Sequence, residues 1–207
     1  MITIVNYEMG NLFSLKNAFS YLGYKSTITD NADKISNSNI LILPGVGSFN
    51  KAMKIIKSKK IDLSIKESLK KGGKILGICL GMQLLSTSSS EDGFNLGLGL
   101  IDNEVKKFSI KEVDGMKIPH VGFNSVFSTN KNMLYEKISE KSDFYFVHSY
   151  RIKTSTISKN YSYFNYGEDF VASYQKDNIF GTQFHPEKSQ NNGLRLLKNF
   201  VELRNNC

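Results

Sequence analysis

The chain has 207 residues, of which 40% are hydrophobic and 22% are charged, a composition typical of one soluble globular domain over residues 1–207. No apolar run approaches the ~20 residues of a membrane-spanning helix. The formal net charge of +8 is attributed to biased composition rather than to nucleic-acid binding, because the basic residues are scattered and no nucleic-acid-binding motif is present.

The first residues, MITIV, predict a strand rather than a signal peptide, because they contain neither a basic leader nor a small-residue cleavage site. The two cysteines, Cys79 and Cys207, provide no disulfide framework and fit a reducing compartment. We therefore expect a cytoplasmic protein without membrane contact.

Residues 1–100 alternate strand-like and helix-like segments at the spacing of an α/β fold, which predicts a largely parallel sheet covered by helices on both faces. Asn11 is predicted to cap the first helix, and Gly23 to end it. The apolar face of that helix is formed by Leu12, Leu15, Phe19 and Leu22. The predicted strands are residues 2–7, 24–29 and 40–43, and the later helices are residues 48–57 and 62–71.

After residue 100, shorter alternating segments rich in Tyr, Phe, Ser and Asn predict antiparallel strands joined to the first sheet. These strands are predicted at residues 104–108, 143–148, 161–166, 170–175 and 178–183. A helix over residues 191–203 closes the chain. The predicted fold is therefore α/β, with a central mixed, mostly parallel sheet flanked by helices and a smaller antiparallel extension in the second half.

The segment GICLGMQ (residues 77–83) predicts a nucleophile on a sharp turn. An apolar strand precedes the cysteine and good helix formers follow it, so Cys79 falls where a strand passes into a helix. Gly77 and Gly81 would permit a strained turn, and the helix N-terminus would favour the thiolate. The alternative is a small, buried and inert cysteine.

The segment PGVGSF (residues 44–49) follows an apolar strand and predicts a turn whose backbone N–H groups can face a ligand. It is not a phosphate-binding P-loop, because no Gly-Lys-Ser/Thr sequence follows. A turn with a purely structural role is the alternative.

A catalytic thiolate in acyl transfer requires a general base, a group that orients the base and donors for the oxyanion. Among the three histidines, His185 is the best candidate base. Pro186 keeps it extended, and Glu187 at i+2 can then lie beside its ring. Alone, this His-Pro-Glu sequence would also fit a surface turn. His120 and His148 have no carboxylate at i+2, so they are interpreted as site-lining or structural residues.

We expect no metal and no cofactor. A His-x-Glu sequence is present, but the Pro-Cys-x-x-Cys partner of the zinc deaminases is missing.

Together these segments resemble the class I (triad) glutamine amidotransferases, and most closely the glutaminase subunit of imidazole glycerol phosphate synthase. Residues 77–83 and the segment FHPEKS (184–189) match motifs of the superfamily. The segments that match the subunit are PGVGSF (44–49), YEMGNL (7–12), PHVGFN (119–124) and YFVHSY (145–150). The resemblance covers essentially the whole chain and implies a flavodoxin-like core.

The resemblance implies that Cys79 attacks the carboxamide of L-glutamine, that His185 passes a proton to the leaving ammonia and that Glu187 holds His185. The implied oxyanion donors are the backbone N–H groups of Leu80 and Val46. The residues that match glutamine-binding positions are Gly47, Gln83, Glu91, Ser149 and Tyr150.

The resemblance also implies a partner, a (β/α)8-barrel synthase that receives the ammonia and makes imidazole glycerol phosphate and AICAR in histidine biosynthesis. In this family the glutaminase is nearly idle alone, and a peptide rotation in the turn at residues 44–47 is the implied switch. The implied interface residues are Asn11, His120, Phe123 and Lys188.

Four positions depart from the family pattern, which usually has Asp at Asn6, Gly at Glu8, Gly at Asn103 and Trp at Phe123. None of these positions belongs to the triad, but they leave the identity of the partner undecided. A paralogous glutaminase could supply ammonia to a barrel partner that aminates surface sugars. The same fold would also suit a stand-alone γ-glutamyl cysteine hydrolase or a non-enzymatic regulator.

Overall fold

The computed structural model describes residues 1–111, 113–128, 132–157 and 160–203. Strands and helices alternate in the first half of the chain, as predicted. The first four strands are Ile2–Val5 (β1), Ser26–Thr29 (β2), Ile40–Leu43 (β3) and Lys74–Ile78 (β4). The helices among them are Leu12–Tyr21 (α1), Ala32–Ser36 (α2), Phe49–Ser58 (α3), Ile61–Lys70 (α4) and Leu80–Leu84 (α5). Of these, only the short α2 was not predicted.

The second half contains every predicted strand, β11 with the predicted bounds and the others with shifted ends, and four further ones. The strands are Ser86–Ser89 (β5), Asn95–Leu96 (β6), Ile101–Lys107 (β7), His120–Phe127 (β8), Lys141–His148 (β9), Tyr150–Arg151 (β10), Tyr161–Tyr166 (β11), Glu168–Lys176 (β12) and Ile179–Thr182 (β13). The closing helix is Gln190–Glu202 (α6). Strands β5, β6, β8 and β10 were not predicted.

Nine strands form the central sheet in the order β2-β1-β3-β4-β13-β12-β11-β8-β9. The first five of these run parallel to one another, and the remaining four continue the sheet with antiparallel pairs. The prediction of a mixed sheet with a smaller antiparallel extension is confirmed. Because β1, β3, β4 and β13 are adjacent and parallel, the loops after their carboxyl ends meet at one edge of the sheet.

A second, four-stranded sheet, in the order β10-β7-β5-β6, was not predicted. Its strands β5 and β7 run parallel, with an irregularity between Ser86 and Ser88. This small sheet carries the loop that contains Glu91, and so it places that loop beside the first half of the chain.

The core lies on both faces of the central sheet. On β3, Leu41 and Leu43 point into one cluster of buried side chains and Ile42 into the other. Helices α1 and α6 cover the Ile42 face, and α3 and α4 cover the opposite face. In the described ranges, no helix is both long and apolar enough to span a membrane.

One local prediction is wrong. Helix α1 does begin after Asn11, but the Asn11 side chain makes no capping hydrogen bond. Its backbone has φ −86° and ψ 65°, outside the extended region from which a capping side chain reaches the N–H groups of the first turn.

Candidate active site

Cys79 occupies the sharp turn between β4 and α5. Its φ of 53° and ψ of −109° are unfavourable for a residue with a side chain, a strain typical of nucleophile turns. The flanking glycines are required by close contacts. A Cβ on Gly77 would lie 2.7 Å from the Gly81 oxygen, and a Cβ on Gly81 would overlap the Leu43 carbonyl oxygen. The predicted strand–turn–helix geometry is confirmed.

Cys79 is 6% exposed, and its sulfur lies beside the ends of β9 and β13. The sulfur is 3.7 Å from the Val147 carbonyl oxygen and receives a contact of 3.7 Å from the Gln183 amide nitrogen. Gln183 was not predicted as a site residue. A signal was available, because Gln183 precedes His185 by two residues in extended chain and therefore points to the same side.

His185 and Glu187 form a buried pair. Nδ1 of His185 lies 2.9 Å from Oε1 of Glu187, and the two side chains are 2% and 1% exposed. His185 is extended as predicted, whereas Glu187 reaches the ring from a 3-10 turn at Pro186–Lys188. With Nδ1 engaged, Nε2 is the nitrogen left for the cysteine, and it makes no hydrogen bond within the described chain.

The electrostatics of the pair favour the protonated ring. Burial lowers the pKa of His185, but interactions with the Cys79 sulfur and then with the Glu187 carboxylate outweigh it and raise that pKa to about 10. An imidazolium beside a sulfur stabilises the thiolate. The His185 ring is thus protonated at neutral pH beside the Cys79 sulfur.

The turn at residues 44–47 lies against the start of α5. A Cβ on Gly45 would be 2.9 Å from the Leu80 Cβ and 3.0 Å from the Gly81 nitrogen. Val46, one residue further on, is 42% exposed. The structure therefore brings Val46 and Leu80, the two predicted oxyanion donors, into one neighbourhood beside the cysteine.

Gly47 and Glu91 line the space next to that turn. Gly47 has φ 99°, a left-handed conformation that favours glycine. The Glu91 carboxylate accepts a hydrogen bond of 3.0 Å from the Phe49 N–H at the start of α3. Burial, followed by the charges of Glu91 and Asp92, raises the pKa of the Tyr150 phenol, which places that phenol near both carboxylates.

The remaining two predicted glutamine-binding residues contribute differently. The Ser149 carbonyl accepts a bond of 3.0 Å from the Phe108 N–H. The amide nitrogen of Gln83 donates to the Tyr150 carbonyl and to Oε1 of Gln183, both at 3.0 Å. Both N–H groups of the Gln83 side-chain amide are therefore bonded inside the protein, where they join two elements of the site.

His120 and His148 form a second buried pair. Nδ1 of His148 lies 2.8 Å from the Tyr150 carbonyl oxygen, which only accepts, so Nδ1 is protonated and Nε2 accepts from Nδ1 of His120 at 3.1 Å. Burial lowers the pKa of His120 to about 4. Burial, and then the neighbouring His120, lower the pKa of His148 to about 3. Both rings are neutral at pH 7.

The predicted interface residues are only partly at the surface. His120 is 3% exposed, so its prediction as a contact residue is wrong: Phe146, Phe164 and Tyr166 pack around its ring. Phe123, in contrast, is 51% exposed.

Lys188 and Asn11 are the other two predicted contact residues. Nζ of Lys188 lies 5.7 Å from the centre of the Tyr145 ring. Asn11 is partly exposed and follows Gly10, where a Cβ would be 3.3 Å from the Pro44 side chain.

The departures from the family pattern have local explanations at two positions. Glu8 has φ 69°, which explains a preference for glycine there, and its carboxylate pairs with Lys59 at 2.7 Å. Asn6 accepts a hydrogen bond of 3.0 Å from the Glu8 N–H, as Asp would. Asn103 is buried, and its side-chain amide has no hydrogen-bond partner among the described residues.

Within the part of the chain that the structure describes, no group of three or more His, Cys, Asp or Glu residues could hold a metal ion.

Two comparisons with solved structures support the fold. A crystal structure of a glutamine amidotransferase superposes with a TM-score of 0.74 at 16% identity and covers 98% of both chains. The structure of PurLQS from Thermotoga maritima superposes with a TM-score of 0.74 at 19% identity, over 97% of this chain and 96% of that one.

Sequence comparisons extend the likeness. The chain is 47% identical over 204 residues to the imidazole glycerol phosphate synthase subunit HisH 1 of Campylobacter jejuni strain 81-176, covering 98% of this chain and 100% of the relative. It is 43% identical to the HisH subunit of Moorella thermoacetica, over 98% and 94% of the two chains. The model of the family "Glutamine amidotransferase class-I" matches residues 3–203. This chain belongs to the class-I glutamine amidotransferase family.

Proposed function

We propose that this chain is the glutaminase subunit of an imidazole glycerol phosphate synthase and that Cys79, His185 and Glu187 are its catalytic triad. The observation that carries the proposal is the buried His185–Glu187 pair, whose Nε2 makes no hydrogen bond among the described residues and whose ring interacts with the sulfur of a cysteine on a strained turn. A structural histidine would be expected to engage both ring nitrogens in the interior.

The proposed reaction begins with attack of the Cys79 thiolate on the carboxamide carbon of L-glutamine. The backbone N–H groups of Leu80 and Val46 stabilise the oxyanion. The His185 imidazolium gives its proton to the amide nitrogen, and the C–N bond breaks to release ammonia and leave a γ-glutamyl thioester. Neutral His185 then removes a proton from the attacking water, and glutamate leaves as the thiolate is restored.

The substrate site proposed for glutamine lies between the turn at residues 44–47 and the loop that contains Glu91. Glu91 is suited to the α-ammonium group, because its carboxylate is already oriented by the Phe49 N–H. The Tyr150 phenol, whose pKa is raised by burial and then by the charge of Glu91, is proposed to lie beside the same substrate group. Gly47 and Ser149 would offer backbone groups to the α-carboxylate.

The proposed partner is a (β/α)8-barrel synthase that uses the ammonia to form imidazole glycerol phosphate and AICAR. Relatives with 42–47% identity are named as subunits of this synthase, which favours it over a sugar-aminating partner. The single family match over residues 3–203 supports one domain. We place the protein in the cytoplasm, because the mechanism requires Cys79 to remain reduced.

Replacement of Cys79 by Ala tests the proposal in the complex with the proposed synthase partner. We expect glutamine-dependent synthesis to fall by at least about 10³-fold, because no thioester can form, while synthesis from added ammonia is retained. Cys207→Ala, which changes the only other cysteine, is the control and should leave both activities unchanged. Loss of both activities in Cys79→Ala would contradict the assigned role.

A further inference from the structure

The Tyr7 hydroxyl lies under the turn that holds Val46. Tyr7 follows β1, is fully buried and donates a hydrogen bond from its hydroxyl to the Pro44 carbonyl oxygen. Because proline has no N–H group, this carbonyl is the only backbone group through which residue 44 can be held by a hydrogen bond. Its neighbours in the buried cluster include Leu43, Phe49 and Leu80.

The bond fixes one end of the turn. The Pro44–Gly45 peptide is enclosed between the Tyr7 hydroxyl and the first residues of α5: a Cβ on Gly45 would overlap that hydroxyl and would lie 2.9 Å from the Leu80 Cβ. The next residue, Val46, is 42% exposed and has no such enclosure. The turn thus consists of the Pro44–Gly45 peptide, which the Tyr7 hydroxyl anchors, followed by the peptide of the more exposed Val46.

The hydroxyl is a permanent donor. Burial, and then the charge of the Cys79 sulfur, raise the pKa of Tyr7 far above its usual value, so the group keeps its proton at every working pH. The Tyr7 hydroxyl and the Leu80 Cβ both lie against Gly45, which places Tyr7 close to the residue that follows Cys79. Among the described residues, the Tyr7 hydroxyl makes no hydrogen bond to the Cys79 sulfur.

We propose that Tyr7 is a positioning residue for the oxyanion hole: its hydroxyl anchors the Pro44 carbonyl and so holds the Val46 N–H where the oxyanion develops. The inference rests on the proposed function. An oxyanion donor acts only if its N–H points at the developing charge from about 3 Å, so loosening its anchor lowers kcat without weakening substrate binding.

Tyr7→Phe removes only the hydroxyl and is the test. Glutamine hydrolysis is measured in the complex with the synthase, and each rate is divided by the number of Cys79 sites titrated with a glutamine-analogue chloroketone. Only folded sites react, so a destabilised variant is still measured on its folded fraction. We expect kcat to fall at least about tenfold and KM to stay within about twofold.

Two further measurements separate positioning from general damage. The rate of Cys79 alkylation by iodoacetamide should stay within about twofold in Tyr7→Phe, because the His185–Glu187 pair is untouched. Tyr135→Phe is the matched control, since it removes another buried tyrosine hydroxyl, bonded to Ser162 and Ser173 far from the turn. Its kcat should remain within about twofold of the unsubstituted value.

The proposal is overturned if Tyr7→Phe keeps its kcat, if alkylation slows in parallel with kcat, or if Tyr135→Phe loses as much kcat. Failure of the proposed function looks different: the unsubstituted complex would then hydrolyse no glutamine, or Cys79→Ala would hydrolyse it normally.

Discussion

The His185–Glu187 pair determines the protonation state of the site. Burial alone would keep the ring neutral, yet the Cys79 sulfur and the Glu187 carboxylate raise the pKa of His185 to about 10. An imidazolium that persists through neutral pH holds the proton that the leaving ammonia requires in the proposed reaction. In the proposed reaction, Glu187 therefore acts through the negative charge that it places beside the ring.

Glu187→Gln removes that charge and keeps the shape of the side chain. The pKa of His185 should fall, because the imidazolium loses its carboxylate partner, so the high-pH limb of kcat/KM moves from near pH 10 toward lower pH. At about pH 8.5 we expect a loss of at least about tenfold in rate. The measurement is a pH–rate profile of glutamine hydrolysis in the complex.

The control for this profile is Glu67→Gln. Glu67 lies on α4 and pairs with Lys71 at the surface at 3.6 Å, so its replacement should leave both limbs of the profile in place. A high-pH limb that stays near pH 10 in Glu187→Gln would show that the carboxylate does not hold the proton on His185.

The sequence predicted the triad residues because their signals are local: glycines beside Cys79, and a proline and carboxylate beside His185. It did not predict Tyr7 or Gln183. Their roles depend on which strands are adjacent, since Tyr7 reaches Pro44 only because β1 lies next to β3. Strand order is set by packing of the whole sheet and leaves no mark on a single tyrosine, whereas Gln183 carried one local signal, its position two residues before His185.

At the scale of elements, the pairing of β8 with β9 buries His120 directly opposite His148. Strand β8 was missed because only its first and seventh residues are buried, which hides the alternation expected of a strand. The small second sheet was missed for a related reason: β5 reads Ser-Thr-Ser-Ser and offers no apolar pattern. Helices with clear apolar faces, such as α3, were predicted to within a residue or two.

The histidine pair should make the fold sensitive to acid. The pKa values of His120 and His148 are about 4 and about 3, below the value of 6.5 in an unfolded chain. Below that value the unfolded state binds more protons, so stability is complete above pH 6.5 and is lost as the pH falls through the folded values. Each histidine contributes a slope of up to about 1.4 kcal/mol per pH unit.

His120→Phe tests this, because Phe fits among the rings that surround His120. The variant should be less stable at pH 7, since His148 loses its donor, but its free energy of unfolding should fall less steeply between about pH 6 and 4. Denaturant unfolding across this range provides both quantities. An unchanged slope would mean that His120 does not resist protonation in the fold.

At the scale of the whole molecule, the strand order joins the active site to an exposed apolar surface. Val121 and Phe123 on β8 are 56% and 51% exposed, and Phe123 pairs with Tyr145 on β9. The backbone carbonyl of Tyr145 in turn accepts a hydrogen bond of 2.9 Å from the backbone N–H of His185. A partner bound to this surface would therefore contact strand β9, which is joined to His185 by a backbone hydrogen bond.

Phe123→Ala tests whether this surface binds the synthase. Because a half-exposed aromatic ring contributes little to the fold but is the type of side chain that dominates interfaces, we expect the Kd for the synthase to rise about tenfold or more with little change in Tm. Tyr21→Ala is the control: Tyr21 is 80% exposed at the far end of α1, which runs from the active-site edge to the opposite edge of the sheet. Calorimetric titration with the synthase should show unchanged binding for Tyr21→Ala. Equal affinities for both variants would place the partner on another surface and remove the direct path through Tyr145 to His185.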